Sequence, residues 1–104
     1  MNTNKVRKFN SVVENVKKIV REARHIPGIS NKKFEPYLIN FCNFMDDVNF
    51  KVSFVDEPED YLHDKMLDAM DYIRYTLMEN AKNTIELNVY NSIYDAIREW
   101  YFNY

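Results

Sequence analysis

The chain has 104 residues, 46% of them apolar and 15% aromatic, with a single cysteine and a net charge of −2. This length suits one domain, 1–104, with its own core, and the apolar fraction excludes a disordered chain. One glycine and three prolines argue against a sandwich or barrel built on tight turns, so the expected fold is mainly α, a compact bundle of about four helices. The charge is unevenly placed. Residues 1–33 hold nine Lys and Arg against two Glu, a net +7, and residues 34–104 hold five against fourteen Asp and Glu, a net −9.

Residues 4–26 read as the first helix. Val6, Phe9, Val13, Val16, Val20 and Ala23 recur at alternating steps of three and four, and Val12, Ile19 and Ile26 widen the stripe. The extra width suits a globular bundle better than the narrow seam of a coiled coil. Arg7, Lys17, Lys18, Arg21 and Arg24 lie opposite and form a candidate basic face, continued by Lys32 and Lys33. Such a face could contact phosphates, so a nucleic-acid-binding role is one reading. Pro27 and Gly28 stop the helix.

A second helix is expected over 31–46, capped by Ser30 or Asn31, with Pro36 confined to its first turn. Phe34, Tyr37, Leu38, Phe41, Cys42 and Met45 repeat at helical spacing, and Ile39 and Phe44 leave few polar positions, which points to a central helix. Cys42 reads as a buried structural thiol, and the absence of a second cysteine points to a reducing, intracellular compartment. Val48, Phe50, Val52 and Phe54 then alternate with polar residues, the pattern of a half-buried strand over 48–55.

The third helix is expected over 57–81. Asp56 and Glu59 suit a capping box, and Pro58 the first turn. Leu62, Met66, Ala69, Met70, Ile73 and Leu77 make its inner face. Asp60, Asp64, Asp68 and Asp71 line up on another face, where like charges repel. Pairs Lys65–Asp68 and Asp71–Arg74 at i+3 would soften that repulsion. The stripe could instead meet the basic face of the first helix, or a cationic partner. At the end of the chain, one helix over 84–102, started by an Asn83–Glu86 box, competes with a strand over 84–90 that would pair with 48–55. Trp100, Tyr101 and Tyr104 are candidate aromatic anchors, since exposed aromatics favour interfaces.

Glu59, Asp60, His63 and Asp64 cluster within two turns, but a helical carboxylate–histidine site needs a second such motif from another helix, and the sequence has none. No metal or other cofactor is expected. No glycine-rich phosphate cradle and no nucleophile motif is present, so no enzymatic activity is expected. No apolar run approaches the roughly 18 residues of a membrane span, and the first ten residues do not lead into the apolar stretch of a signal peptide. The reading is a small cytoplasmic protein-binding module that meets a protein with a cationic surface through its acidic face. Abundant Asn, Lys, Ile, Tyr and Phe mirror AT-rich codons and suggest a phage or mobile-element inhibitor of a host defence or nucleic-acid-processing protein. A nucleic-acid-binding regulator and a structural homodimer are the alternatives.

Overall fold

In the computed structural model, residues 3–27 and 34–103 are described. They form α1 (Thr3–Ala23), α2 (Phe34–Lys51), α3 (Pro58–Tyr72) and α4 (Thr84–Asn103). α3 runs directly into a π-helical turn, Ile73–Leu77, closed by Met78 N donating to Ile73 O at 2.8 Å. A 3-10 turn, Val52–Phe54, follows α2. The bundle measures 44 × 21 × 18 Å. The expected caps Ser30 and Asn31, and Lys32, Lys33 and Tyr104, lie outside the described residues.

Each helix boundary has a local cause. α1 ends at Ala23 because Pro27 disfavours helical backbone just before it. The chain tightens there, with His25 N and Ile26 N bonding the carbonyls of Glu22 and Ala23, each at 3.1 Å. α3 begins at Pro58, whose fixed φ suits a first helical position. The N-cap is therefore Glu57, one residue past Asp56, and the expected Asp56–Glu59 box does not form; α3 has no side-chain cap hydrogen bond. At α4 the Asn83 half of the expected box is present, and the return bond from Glu86 reaches one residue further back, to Lys82. Asn83 Oδ1 accepts from Glu86 N at 2.9 Å, and Glu86 Oε1 accepts from Lys82 N at 3.4 Å.

There is no strand among the described residues. Where a strand over 48–55 was expected, α2 continues to Lys51 and the 3-10 turn follows. Leu38, Phe41, Met45, Val48 and Val52 carry one helical stripe through this segment. A strand would place Val48, Phe50, Val52 and Phe54 on one side. Here Val48 is buried, whereas Phe50 and Phe54 are 67% and 74% exposed. A lone strand would also leave its backbone groups without partners, whereas a helix satisfies them within itself. The alternative strand over 84–90 is the first two turns of α4.

The core holds all eight residues the periodicity marks most strongly: Val13, Val16, Val20, Phe41, Met66, Ile73, Leu77 and Ile97. Burying each such side chain is worth about 1.5–3 kcal/mol. The central helix, however, is α1, which packs against α2, α3 and α4. α2 rests mainly on α1, and its surplus apolar residues Ile39 and Phe44 are exposed and half-buried. Their abundance marks a second, outward-facing surface rather than a central position.

Candidate protein-binding face

Asp60, Asp64, Asp68 and Asp71 are all exposed along α3. None forms an ion pair among the described residues. The two i+3 pairs that could soften the stripe do not form. Lys65 instead lies over the ring of Tyr61, 5.8 Å from its centre, and Arg74 over that of Tyr75 at 5.4 Å. A cation over an aromatic face contributes roughly 0.5–1 kcal/mol at an exposed site, and here it draws both cations away from the aspartates.

Beside the stripe lies a groove of about 350 Å³ between α2 and α3. Phe41, Phe44, Ala69 and the ring of Tyr72 give it apolar walls, and Asn40, Asp68 and the Tyr72 hydroxyl are the polar groups among its lining residues. Two flanks of α2 have different neighbours. Glu35, Asp46 and Asn49 turn to α1, pairing with Arg24, Lys17 and Asn10. Asn40 and Phe44 lie on another flank of α2 and line the gap to α3. Tyr72, at the junction with the π-turn, has its hydroxyl pKa raised by burial and by Tyr37. Buried Tyr90 is held higher still, at about 12, by burial first and then by the Glu86 carboxylate. Glu86 itself is only 3% exposed, and its Oε2 has no hydrogen-bond partner among the described residues.

The basic face of α1 is partly consumed inside the bundle. Lys17 Nζ contacts Asp46 Oδ1 at 3.3 Å, and Arg24 pairs with Glu35. Arg7, Lys18 and Arg21 are exposed. Asp46 and Glu35, which pair with Lys17 and Arg24, come from α2, and the stripe on α3 does not dock on Arg21 and Arg24 of its own chain.

The candidate anchors separate. Trp100 is 1% exposed and belongs to the core, its ring meeting Phe9 edge-on at 5.5 Å. Tyr101 is half-buried, and the exposed aromatic at this end is Phe102. A cluster the periodicity does not reveal closes this end of the bundle. Lys5, 3% exposed, donates from Nζ to Tyr101 O at 2.6 Å, while Trp100 Nε1 donates to Lys5 O at 2.8 Å. The ammonium sits 4.9 Å from the centre of the Trp100 ring and at the C-terminal end of α4, where the helix dipole favours a cation. Burial lowers its pKa, and Glu59 opposes that shift. His63 turns its ring to Tyr101 and Trp100, at 4.6 and 5.5 Å, rather than into a cluster of carboxylates. The two Lys5–α4 hydrogen bonds link residues 96 and 95 positions apart, which is why no local pattern shows them. Cys42 is half-buried, and burial, then the charge of Asp46, raise its pKa against the opposing Lys17. A raised pKa makes a weak nucleophile.

No helix among the described residues is long and apolar enough to cross a membrane. Compared with protein-family models, with curated proteins and with solved structures, the chain matches none.

Proposed function

We propose that the chain is a small, non-enzymatic protein-binding module, and that its partner is a protein with a cationic surface that docks on the acidic face of α3. One observation carries this reading: four exposed aspartates share a helix face and form no ion pair among the described residues, while Lys65 and Arg74 lie over tyrosine rings. Mutual repulsion along the stripe costs the free protein stability. A partner's cations would remove that cost on binding. The module would work inside the cell, by occlusion. Its residue usage favours a phage or mobile-element origin and a host target that itself handles nucleic acid.

The test is capture from nuclease-treated lysate of the organism in which the chain acts. Wild-type bait is compared with Asp64→Asn/Asp68→Asn. A basic protein held by the wild type, released by salt and lost from the double variant, is the expected result. Equal capture by both baits overturns the reading. Material lost on nuclease treatment would favour a nucleic-acid role for Arg7, Lys18 and Arg21. A bait that recovers only itself would favour the homodimer.

A further inference from the structure

We infer that the α2–α3 groove takes one amphipathic, cationic helix of the partner, with a bulky apolar side chain between Phe44 and Tyr72 and Lys or Arg residues along Asp64, Asp68 and Asp71. This deepens the proposed function and rests on its acidic-face reading. Three features of the groove select the occupant. Its volume, about 350 Å³, is at the lower end of ligand pockets and suits one or two large side chains. Its walls are mainly apolar, and the polar groups of its lining residues are Asn40, Asp68 and the Tyr72 hydroxyl, few for orienting a polar small molecule. Its acidic edge is extended: Asp64 and Asp71 lie one turn on either side of Asp68, all exposed and unpaired. An apolar trough bordered by a line of carboxylates is complementary to a helix with apolar anchors at i, i+3 or i+4 and i+7 and cations beside them.

Other occupants fit less well. Phosphates would be repelled by the same edge. A second copy could offer the cations of α1, but the apolar face of that helix, including Phe9, Val13, Val16 and Val20, is buried in its own core. The α1 basic face therefore brings charge without an anchor.

The experiment uses the full chain and a labelled, designed 18-residue peptide. The peptide carries Leu and Trp at i, i+3, i+4 and i+7 and Lys or Arg on both flanks; a control of identical composition has its apolar residues scattered. Binding is read by fluorescence anisotropy. The expected result is micromolar binding of the designed peptide, about tenfold weaker for the control. Asn40→Trp, which fills the groove from an exposed position, should weaken binding about tenfold or more. Tyr72→Ala, which removes one wall, serves the same purpose should Asn40→Trp misfold. Asp64→Asn/Asp68→Asn should weaken binding about threefold to tenfold and flatten its salt dependence. Amide shifts should centre on Phe44, Asp68 and Ala69.

Groove variants that bind as wild type does, no binding of the designed peptide at about 0.5 mM, a control that binds equally well, or shifts centred elsewhere would each overturn the inference. So would a concentration-dependent dimer that the peptide fails to compete with. The two readings fail separately. Lysate capture lost on Asp64→Asn/Asp68→Asn but unaffected by Asn40→Trp leaves the acidic face standing and removes the groove. Capture indifferent to the aspartates removes the acidic face itself.

Discussion

α1 and α3 are both long, amphipathic and strongly charged on their outer faces, yet the bundle treats those charges in opposite ways. On α1, Lys17 and Arg24 are matched by Asp46 and Glu35 of α2, and even Lys5 is taken into the core against Trp100. Along α3 and the π-turn that continues it, the cations Lys65 and Arg74 turn to tyrosine rings, and four aspartates are left facing water. Charge on a helix face thus carries little meaning by itself. What separates a structural charge from an available one is whether a neighbouring element presents the opposite sign, as α2 does to α1 through Asp46 and Glu35.

The comparison depends first on which way α3 faces. Ile73 is fully buried on the side opposite the stripe. Ile73→Asp should abolish cooperative unfolding, because an unpaired buried charge costs several kcal/mol against a total stability of roughly 5–15 kcal/mol. Thermal melting followed by circular dichroism reads this. A variant melting like the wild type would put the wrong face of α3 inside.

A second, pH-dependent effect arises where the two helices meet. His63 on α3 is held below its ordinary pKa of 6.5, by burial first and then by the charge of Lys5 on α1; Glu59, Asp60 and Asp64 pull the other way. A lowered value means that the unfolded chain takes up the proton first as pH falls. The stabilising contribution is therefore complete above about pH 6.5 and is lost as pH falls through the folded value. Urea unfolding between about pH 8 and 5 should show the wild type losing stability relative to His63→Phe as pH drops below 6.5. Parallel curves for the two proteins would show that Lys5 and burial do not act on His63.

The smallest expected effects sharpen the contrast most directly. Arg24→Ala removes one partner of a half-exposed ion pair and should cost no more than about 1 kcal/mol. Asp64→Asn/Asp68→Asn should leave stability unchanged or raise it by up to about 0.5 kcal/mol, since i,i+4 repulsion is relieved. Opposite signs in the two melting curves are the expected outcome. A double variant less stable than wild type would mean that the aspartates have a partner within the bundle, and the distinction between α1 and α3 would fail.

Periodicity alone determined much of this molecule. The three-four spacing of Val13, Val16 and Val20, and of Met66, Ile73 and Leu77, identifies both helices and their buried faces, because a helix brings every third or fourth residue to one side. Asn83 and Glu86 mark the start of α4 because a cap is a local bond between residues three apart. The alternation at 48–54 was misleading for the same reason that the other patterns were informative: four apolar residues at even spacing also contain Val48 and Val52, a helical i,i+4 pair, and nothing local chooses between the two periods. That choice was made by α1, which buries Val48 under the continuing α2 stripe and leaves Phe50 and Phe54 in water. Only the tertiary structure could decide which charges were spent. The pairing of Arg24 with Glu35, the burial of Lys5 beside Trp100 and the groove between Phe44 and Tyr72 all join residues from different helices. Their proximity depends on how helices tilt against one another, and that depends on the fit of whole faces rather than on any stretch of the chain.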